Sequence, residues 1–307
     1  MKKNIFITGS NGFIGRNLTE QLNNYHNVFY EDHKNLDLLN TSKVESYFNH
    51  NKIDVVIHCA SQGVIRKEIE ASNSLKIVDD NLRMFFNLSR CVKNGMQMYV
   101  LGSGAEYNKN NPFKKVNEDQ FDRSVPTEPY GFSKYVISKF VEKTDNITSL
   151  RLFGVYGKYE NYTFRFISNS LIKYILRLPI VINQNVVFDY LYIDDLVSIL
   201  KFFIDNPPKR RILNVTSTES IDLVSIANII NTLDNYQTDV IVLNEGYNKE
   251  YSGDNSKLLD EINNLCFTQY RDGIRELYKY YVKNFDNIDT TKITRDPYLE
   301  KRQKVKK

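Results

Sequence analysis

The sequence has few cysteines and histidines, and their spacing argues against several kinds of site. Cys59, Cys91 and Cys266 are odd in number and widely separated, so neither a disulfide framework nor a thiolate zinc site is expected. The four histidines show no HExxH motif or other spacing that is typical of metal ligands. We therefore expect no catalytic metal.

Long apolar runs are also missing. No uninterrupted stretch approaches the roughly 20 apolar residues that a membrane-spanning helix needs. The apolar segment after Lys2 and Lys3 is too short for the core of a signal peptide. Hydrophobic residues make up 41% of the chain and charged residues 25%, which is ordinary for a globular protein. We expect a cytoplasmic protein with no membrane partner.

The excess of positive charge is confined to the end of the chain. The net charge is +4, and residues 295–307 contain six basic and two acidic residues, which accounts for the whole excess. A basic end of this kind is more typical of a solvated tail than of a groove that binds a phosphate backbone. No nucleic-acid partner is expected.

Short apolar strands alternate with helical patterns through the first half of the chain. This order is typical of an α/β protein with a Rossmann-type doubly wound parallel sheet, in which ligands bind beyond the carboxyl ends of the strands. The candidate strands are residues 4–8, 28–31, 55–58, 98–101 and 149–152, and the candidate helices include residues 18–22, 44–48, 75–92 and 130–141.

The segment TGSNGFIG at residues 8–15 places three glycines between a predicted strand and a predicted helix. Glycine tolerates positive φ and allows another backbone or a ligand to approach closely. The unpaired N–H groups of a helix N-terminus bind phosphate, although a glycine-rich tight turn is the simpler alternative. We expect the pyrophosphate of a dinucleotide to bind this loop through Gly9, Asn11, Gly12, Phe13, Ile14 and Gly15.

A YxxxK spacing places a phenol and an ammonium on one face of a helix, where the lysine favours the phenolate and lowers the pKa of the tyrosine. The YxxxK spacing occurs three times in the chain. Only Tyr130 follows a proline at the start of a predicted helix, where a loop opens onto the site. We therefore assign Tyr130 and Lys134 as the acid–base pair. The three copies are Tyr30/Lys34, Tyr130/Lys134 and Tyr135/Lys139.

The loop GSGAEY after the strand at residues 98–101 contains Ser103. This serine is expected at the carboxyl end of the sheet, where it can share a substrate oxygen with Tyr130. The alternative is a serine that only caps a turn. The order of the glycine loop, Ser103, Tyr130 and Lys134 along the chain favours a single site.

The regular alternation weakens after about residue 155. Helical patterns continue at residues 162–178, 194–204 and 220–233, with a strand-like run at residues 212–215. We assign a smaller C-terminal substrate lobe to this part of the chain. The predicted boundaries are a dinucleotide-binding Rossmann domain at residues 1–155, a mainly substrate-binding lobe at 156–285 that is partly interleaved with it, and a basic tail at 286–307.

The sequence resembles the extended short-chain dehydrogenase/reductases that act on nucleotide sugars, over nearly the whole chain to about residue 285. This resemblance implies that Tyr130 is the general acid/base, that Lys134 is its electrostatic partner and a ribose ligand, and that Ser103 donates to the substrate carbonyl. It also implies a homodimer formed through the helices at residues 75–92 and 130–141; the alternative is that the apolar faces of these helices serve only the core of one chain. The matching motifs, in chain order, are TGSNGFIG, GSGAEY, PYGFSK, DYLYIDDL and YSGDNSKL.

The residues after the second strand leave the cofactor open between NAD and NADP. Asp32 occupies the position from which an acidic residue binds the adenosine ribose, which favours NAD. His33, Lys34 and Arg16 are basic residues nearby, and a basic residue there can bind the additional phosphate of NADP.

Three positions depart from the pattern of the family. Members that dehydrate a hexose have an Asp-Glu pair directly after the Ser/Thr of this loop, where this chain has Gly104 and Ala105. Members similar to fucose synthases use a cysteine at the position of Ala105 for double epimerisation. Phe188 stands where many members have an arginine for the nucleotide phosphates. The candidate replacements are Arg165, Lys173 and Arg177.

These departures leave hydride transfer at one sugar carbon as the expected chemistry. We predict an NAD(P)-dependent reductase of a nucleotide-linked 4-keto-(6-deoxy)hexose. The first alternative is an NAD-dependent nucleotide-sugar 4-epimerase, which Asp32 favours. The second is a non-catalytic dinucleotide sensor, which would have little need for Ser103, Tyr130 and Lys134 together.

Overall fold

The computed structural model describes residues 1–63, 71–108 and 113–294, and the side chains of α3 from Leu75 onward. The strands are β1 (Asn4–Thr8), β2 (Asn27–Phe29), β3 (Val55–His58), β4 (Gln97–Ser103), β5 (Phe113–Val116), β6 (Ile147–Leu152), β7 (Gly154–Tyr156), β8 (Ile180–Asn185), β9 (Val187–Phe188), β10 (Tyr190–Tyr192), β11 (Ile212–Val215), β12 (Ile221–Asp222), β13 (Val240–Tyr247) and β14 (Tyr251–Gly253). The helices are α1 (Phe13–Leu22), α2 (Thr41–His50), α3 (Ala71–Ser89), α4 (Pro129–Val141), α5 (Phe166–Ile175), α6 (Ile193–Asp205), α7 (Leu223–Ile230), α8 (Ser256–Glu261), α9 (Tyr270–Lys283) and α10 (Thr291–Thr294).

Six strands form one parallel sheet in the order β2-β1-β3-β4-β6-β11. Ile5 in β1, the strand next to the β2 edge, pairs with Val28 on one side and with Val55 on the other. The strand order reverses its direction between β1 and β3, and a crevice for ligands opens beyond the carboxyl ends of the strands at such a switch point. The fold therefore places the TGSNGFIG loop at the expected ligand position.

Apolar side chains cover both faces of this sheet. Ile5 and Ile7 in β1 pack in a core with Leu18 of α1 and Leu196 of α6. Phe6, between them, points to the opposite face and packs in a second core with residues of α2, α3 and α4. The side chains of a strand alternate between its two faces, so burial on both faces requires continuous apolar strands. This confirms the predicted α/β fold with a Rossmann-type parallel sheet.

The helix ends differ from the sequence pattern where a local cap or turn intervenes. The pattern predicts a helix over residues 220–233, but α7 begins at Leu223 because the Asp222 carboxylate accepts a hydrogen bond from the Ser225 N–H (3.0 Å). The helix predicted over residues 162–178 is shorter as well. It ends at Ile175, and Arg177 lies in the left-handed region at φ 58°.

A second group of elements packs around its own apolar core. This core contains Ile167 and Leu171 of α5, Ile226 of α7 and Leu277 of α9. Ile293 is fully buried in the same core, so the beginning of the predicted tail packs against this lobe. The rest of the predicted tail, residues 295–307, lies outside the described residues.

One strand joins the two parts of the chain. β5 lies within the first 155 residues, but it belongs to a four-stranded sheet with the order β12-β9-β14-β5. Phe113 pairs with Tyr251, and the Lys115 N–H donates to the Ser252 hydroxyl (2.8 Å). The end of β14 is thereby fixed next to the loop that follows β4.

The described ranges lack two kinds of feature. None of their helices is long and apolar enough to cross a membrane. They also contain no group of three or more His, Cys, Asp or Glu side chains that could hold a metal ion.

Candidate active site

The loop between β1 and α1 has no room for side chains at two of its glycines. Gly9 has a φ of +66°, and a Cβ there would lie 2.8 Å from the Ala60 nitrogen. A Cβ on Gly15 would lie 2.1 Å from the Gly9 carbonyl oxygen. The residue before α1 is Gly12, which has no side chain to cap the first N–H groups of the helix. The exposed start of α1 therefore suits an anion such as a pyrophosphate.

The remaining predicted residues of the loop have different environments. Asn11 and Gly12 are exposed, whereas Phe13 and Ile14 are half-buried against the core beneath the sheet. Asn17 ties the helix to the second half of the chain, because its amide donates to the Lys158 carbonyl (2.9 Å). The loop is thus open on one side and anchored on the other.

Asp32 lies in the loop just after β2, which ends at Phe29 and so is shorter than predicted. The Asp32 side chain is exposed, and its Oδ1 accepts from the Asn35 N–H (2.9 Å), which closes a turn. Arg16, a candidate for binding the phosphate of NADP, stacks 3.8 Å from the ring centroid of Tyr159. The Arg16 guanidinium is therefore held on the side of α1 that faces Tyr159.

Ser103 and Tyr130 lie side by side at the carboxyl end of the sheet. Ser103 is the last residue of β4 and Tyr130 is in the first turn of α4, and the two are close enough for the Ser103 hydroxyl to act on the pKa of the phenol. The Glu128 carboxylate caps α4 by accepting from the Gly131 N–H (3.2 Å), and Pro129 fits the first position of the helix. The predicted helix start is therefore a sequence-encoded cap that fixes Tyr130 at the open end.

Lys134 lies one turn after Tyr130 and is buried. Its Nζ donates to the Leu101 carbonyl (2.8 Å) and lies 5.7 Å from the centroid of the Tyr130 ring. Burial lowers the pKa of Lys134 to about 8, while the negative charge of Glu106 opposes this shift. The lysine therefore keeps most of its charge at neutral pH.

The Tyr130 phenol differs from the expectation that Lys134 lowers its pKa. Burial raises the pKa of Tyr130 to about 12, and the hydrogen bond with Ser103 acts in the opposite direction. In the free protein, burial therefore outweighs the interactions that favour the charged phenolate. A neutral phenol is the form that a proton donor requires.

The other two YxxxK pairs lie elsewhere. The Tyr135 hydroxyl donates to the Asp122 carboxylate, and the Lys139 Nζ is 3.0 Å from the same group. Tyr30 is 53% exposed. Of the three pairs, the Tyr130/Lys134 pair is the one next to Ser103.

Glu106 is fully buried and accepts three hydrogen bonds. Its Oε1 accepts from the Ser103 N–H (2.8 Å), and its Oε2 accepts from the Ser138 hydroxyl and from the Arg151 Nε, both at 2.6 Å. The Arg151 guanidinium also stacks 3.9 Å from the ring centroid of Phe121. Glu106 is therefore a structural carboxylate beneath Ser103, and its role is not visible in the motif GSGAEY.

Position 104 is a glycine because aromatic side chains fill the space beside it. A Cβ on Gly104 would lie 2.6 Å from the Tyr251 hydroxyl and 2.8 Å from Cδ1 of Phe153. Ala105 is fully buried. Tyr251 belongs to the motif YSGDNSKL, but nothing in its spacing indicates that its hydroxyl meets the Ser103 loop.

Phe188, which stands where many family members have an arginine, is part of an aromatic cluster. Phe188 packs against Tyr190 and Tyr251, with ring centroids 5.4 and 6.1 Å apart. Among the candidate replacements, Arg165 lies near the site, since its positive charge lowers the pKa of both Tyr130 and Tyr190. The other two candidates lie in a different setting: Lys173 is buried within α5, and Arg177 stacks on Tyr236 at 4.9 Å.

The buried ion pair predicts a large loss of stability when Arg151 is neutralised. We expect Arg151→Met to lower the free energy of unfolding by about 3–5 kcal/mol, because it leaves the Glu106 charge buried without its partner. Arg275→Met is the matched control, since Arg275 pairs with the exposed Asp272 (3.4 Å) at 41% side-chain exposure, and its loss should cost under about 1 kcal/mol. Urea unfolding measures both, and equal losses in the two variants would contradict the special role of the buried pair.

Comparison with known proteins gives a consistent picture. The model of the NAD dependent epimerase/dehydratase family matches residues 5–216. An ADP-L-glycero-D-manno-heptose-6-epimerase of Brachyspira hyodysenteriae is 28% identical over 258 residues, which are 73% of this chain and 79% of that protein. A UDP-glucose 4-epimerase of Thermotoga maritima superposes with a TM-score of 0.77 at 18% identity, covering 92% of this chain and 99% of that one. A GDP-mannoheptose C4 reductase of Campylobacter jejuni, with NADP bound, superposes with a TM-score of 0.74 at 18% identity, covering 92% and 98%.

The two superpositions establish the shared fold, and the family match spans both the glycine loop and the Ser103–Tyr130–Lys134 segment. The sequence-based predictions of the family, of an enzyme and of a nicotinamide dinucleotide cofactor are confirmed. The chain therefore belongs to the NAD dependent epimerase/dehydratase family, and it is an NAD(P)-dependent oxidoreductase of the extended short-chain dehydrogenase/reductase type.

Proposed function

We propose that the protein reduces the 4-keto group of a nucleotide-linked keto-(6-deoxy)hexose. The observation that carries this proposal is the composition of the loop beside Ser103. One proton donor, Tyr130, lies next to Ser103, while positions 104 and 105 hold glycine and alanine. Abstraction of a proton from carbon needs a positioned base within hydrogen-bond reach. The loop offers none at these positions, so the site suits a single reduction.

The residues of the site have separate roles in this reaction. The Gly9–Gly15 loop would hold NADH or NADPH, which would supply a hydride for the C4 carbon. The Ser103 and Tyr130 hydroxyls donate hydrogen bonds to the C4 carbonyl oxygen, which stabilises the negative charge that develops there. Tyr130 then gives its proton to this oxygen, and the product is an alcohol. The positive charge of Lys134 favours the phenolate that remains.

Arg165 is our proposed ligand for the nucleotide phosphates. Phe188 leaves the usual position of the family without a cation. Arg165 is exposed at the start of α5, and its charge acts on Tyr130 and Tyr190. A guanidinium can bind phosphate oxygens in a bidentate manner. The substrate would then lie between α5 and the carboxyl end of β4.

An NAD-dependent 4-epimerase is the second candidate. Asp32, in the loop just after β2, favours it, because an acidic residue there suits the ribose of NAD. In that reaction Tyr130 takes a proton, hydride leaves C4, and it returns to the other face of the sugar. The two candidates differ in whether the cofactor is consumed.

We expect Tyr130→Phe to reduce turnover by about 10²–10⁴-fold, because it removes the proton donor and leaves the glycine loop intact. Binding of the dinucleotide, followed by fluorescence, should be nearly unchanged. Tyr135→Phe is the matched control, since it removes a phenol from the same helix whose hydroxyl bonds to Asp122. If Tyr130→Phe kept more than about half of the wild-type activity, Tyr130 would not be the general acid.

Isotope labelling separates the reductase from the epimerase. A reductase should place one deuterium at C4 from 4-deuterated NADH or NADPH, and it should consume cofactor one-for-one with product. The product formed in heavy water should carry no carbon-bound deuterium at C3 or C5, because Gly104 and Ala105 offer no base for those positions. Mass spectrometry measures all three quantities. Retention of the substrate's own C4 hydrogen, with constant total cofactor, would identify the epimerase.

We also propose that the protein is a cytoplasmic homodimer. The exposed surface of α3 and α4 carries an aromatic patch, in which Phe140 is 40% exposed and its ring centroid lies 5.1 Å from that of Phe86. Exposed apolar patches of this kind mark protein interfaces. Leu82 lies on the same face of α3 and is half-buried.

Light scattering at micromolar concentration should give twice the 36.0 kDa mass of one chain. Phe140→Glu should yield the monomer, because it places a charge in the proposed interface. Phe202→Glu is the matched control, since Phe202 is similarly exposed (37%) but lies on α6. A wild-type protein of monomeric mass would contradict this proposal.

A further inference from the structure

Tyr251 brings a second phenol to the Ser103 loop from a distant part of the chain. β14 pairs with both β5 and β9, so Tyr251 lies opposite Phe113 and Phe188. Its hydroxyl lies 2.6 Å from the position that a Cβ on Gly104 would occupy. The hydroxyl therefore takes the place of a side chain at the residue that follows Ser103.

The ring of Tyr251 is fixed on several sides. Its centroid lies 5.3 Å from that of Phe113, 5.4 Å from that of Phe153 and 6.1 Å from that of Phe188. Phe153 in turn packs so closely that a Cβ on Gly253 would lie 2.5 Å from it. Aromatic contacts at these separations restrict the ring, so the hydroxyl has a defined position.

The position of the Tyr251 hydroxyl limits which hydrogen bonds Ser103 can make. A serine hydroxyl donates one proton and accepts at two lone pairs. The Ser103 Oγ already accepts from the Ala105 N–H (3.2 Å), and the phenols of Tyr130 and Tyr251 both lie close enough for the Ser103 hydroxyl to act on their pKa values in the lowering direction. If Tyr251 donates to the remaining lone pair, the one proton of Ser103 is left for the side where Tyr130 lies.

We propose that Tyr251 is a positioning residue, which donates a hydrogen bond to Ser103 and thereby directs the Ser103 proton toward the substrate oxygen beside Tyr130. This inference rests on the proposed reduction at that oxygen. Its geometric basis is the contact of the Tyr251 hydroxyl with the Gly104 position and the aromatic packing that holds the ring.

The protonation state of Tyr251 agrees with a donor role. Burial raises its pKa well above the ordinary value, although the hydrogen bond with Ser103 opposes this shift. The phenol therefore stays protonated throughout the neutral pH range. A neutral phenol donates a hydrogen bond, but it is a poor base for a proton on carbon, in keeping with a site that reduces without exchange at C3 or C5.

The test is a double-mutant cycle with Tyr251→Phe and Ser103→Ala. Tyr251→Phe should lower kcat roughly ten-fold with little change in KM or in dinucleotide binding, since one hydrogen bond is lost and the ring stays in place. The double variant should be no slower than Ser103→Ala, because Tyr251 acts through Ser103. Tyr99→Phe is the control, since it removes a buried hydroxyl that donates to the Phe203 carbonyl in the sheet core, and its kcat should be unchanged.

A second measurement, of unfolding by urea, needs no substrate. The urea midpoints of the two single variants and the double variant should be non-additive if Tyr251 and Ser103 share a hydrogen bond. If the wild type reduced no 4-keto sugar, the proposed function would fail, while this measurement would still decide the contact. Additive midpoints, an unchanged kcat in Tyr251→Phe, or a loss that adds to that of Ser103→Ala would overturn the positioning role. So would carbon-bound deuterium in the wild-type product that Tyr251→Phe abolishes, because Tyr251 would then transfer a proton itself.

Discussion

The site depends on one buried carboxylate. Glu106 binds the backbone of Ser103 in β4, the hydroxyl of Ser138 in α4 and the guanidinium of Arg151 in β6. A charge without access to water is stable only with partners of this quality. These partners come from the three elements that carry or support the proposed catalytic groups, so satisfying the charge also fixes the relative positions of the elements. The same negative charge supports the protonated state of Lys134 against the effect of burial.

The polar side chains at this end of the sheet divide into two groups. The side chains of one group are fully buried, are either neutral or paired with an opposite charge, and hold the surrounding backbone in place. His58 belongs to it, because burial lowers its pKa to about 3 and its ring shares a hydrogen bond with Thr8 (2.8 Å) beneath the glycine loop. The other group is only partly covered and faces the proposed ligand site. Tyr130 belongs to this group, which is why its proton is available to a substrate.

Local signals in the sequence predicted much of this arrangement. β1 and β3 have the bounds that their apolar runs indicated, and α4 starts within one residue of its prediction, because a proline and a capping carboxylate are readable from adjacent positions. The glycine loop is readable for the same reason. The Glu106–Arg151 pair and the Tyr251 hydroxyl are not, because each contact joins residues that are far apart in sequence and leaves no characteristic spacing. The end of β2 was also misplaced, since a turn closed by Asp32 follows it.

The position of β5 has a consequence for how the protein is made. β5 meets residues that are translated far later, since the Lys115 backbone bonds to Ser252, 137 residues further along the chain. Closing so long a loop costs chain entropy and delays the pairing. A nascent chain that ends before Tyr251 already contains the whole dinucleotide loop, yet the edge of β5 is unpaired and the substrate side is open. The proposed substrate side is therefore completed only after Tyr251 has been translated, and until then the exposed edge of β5 is a place where chaperones or neighbouring chains can bind.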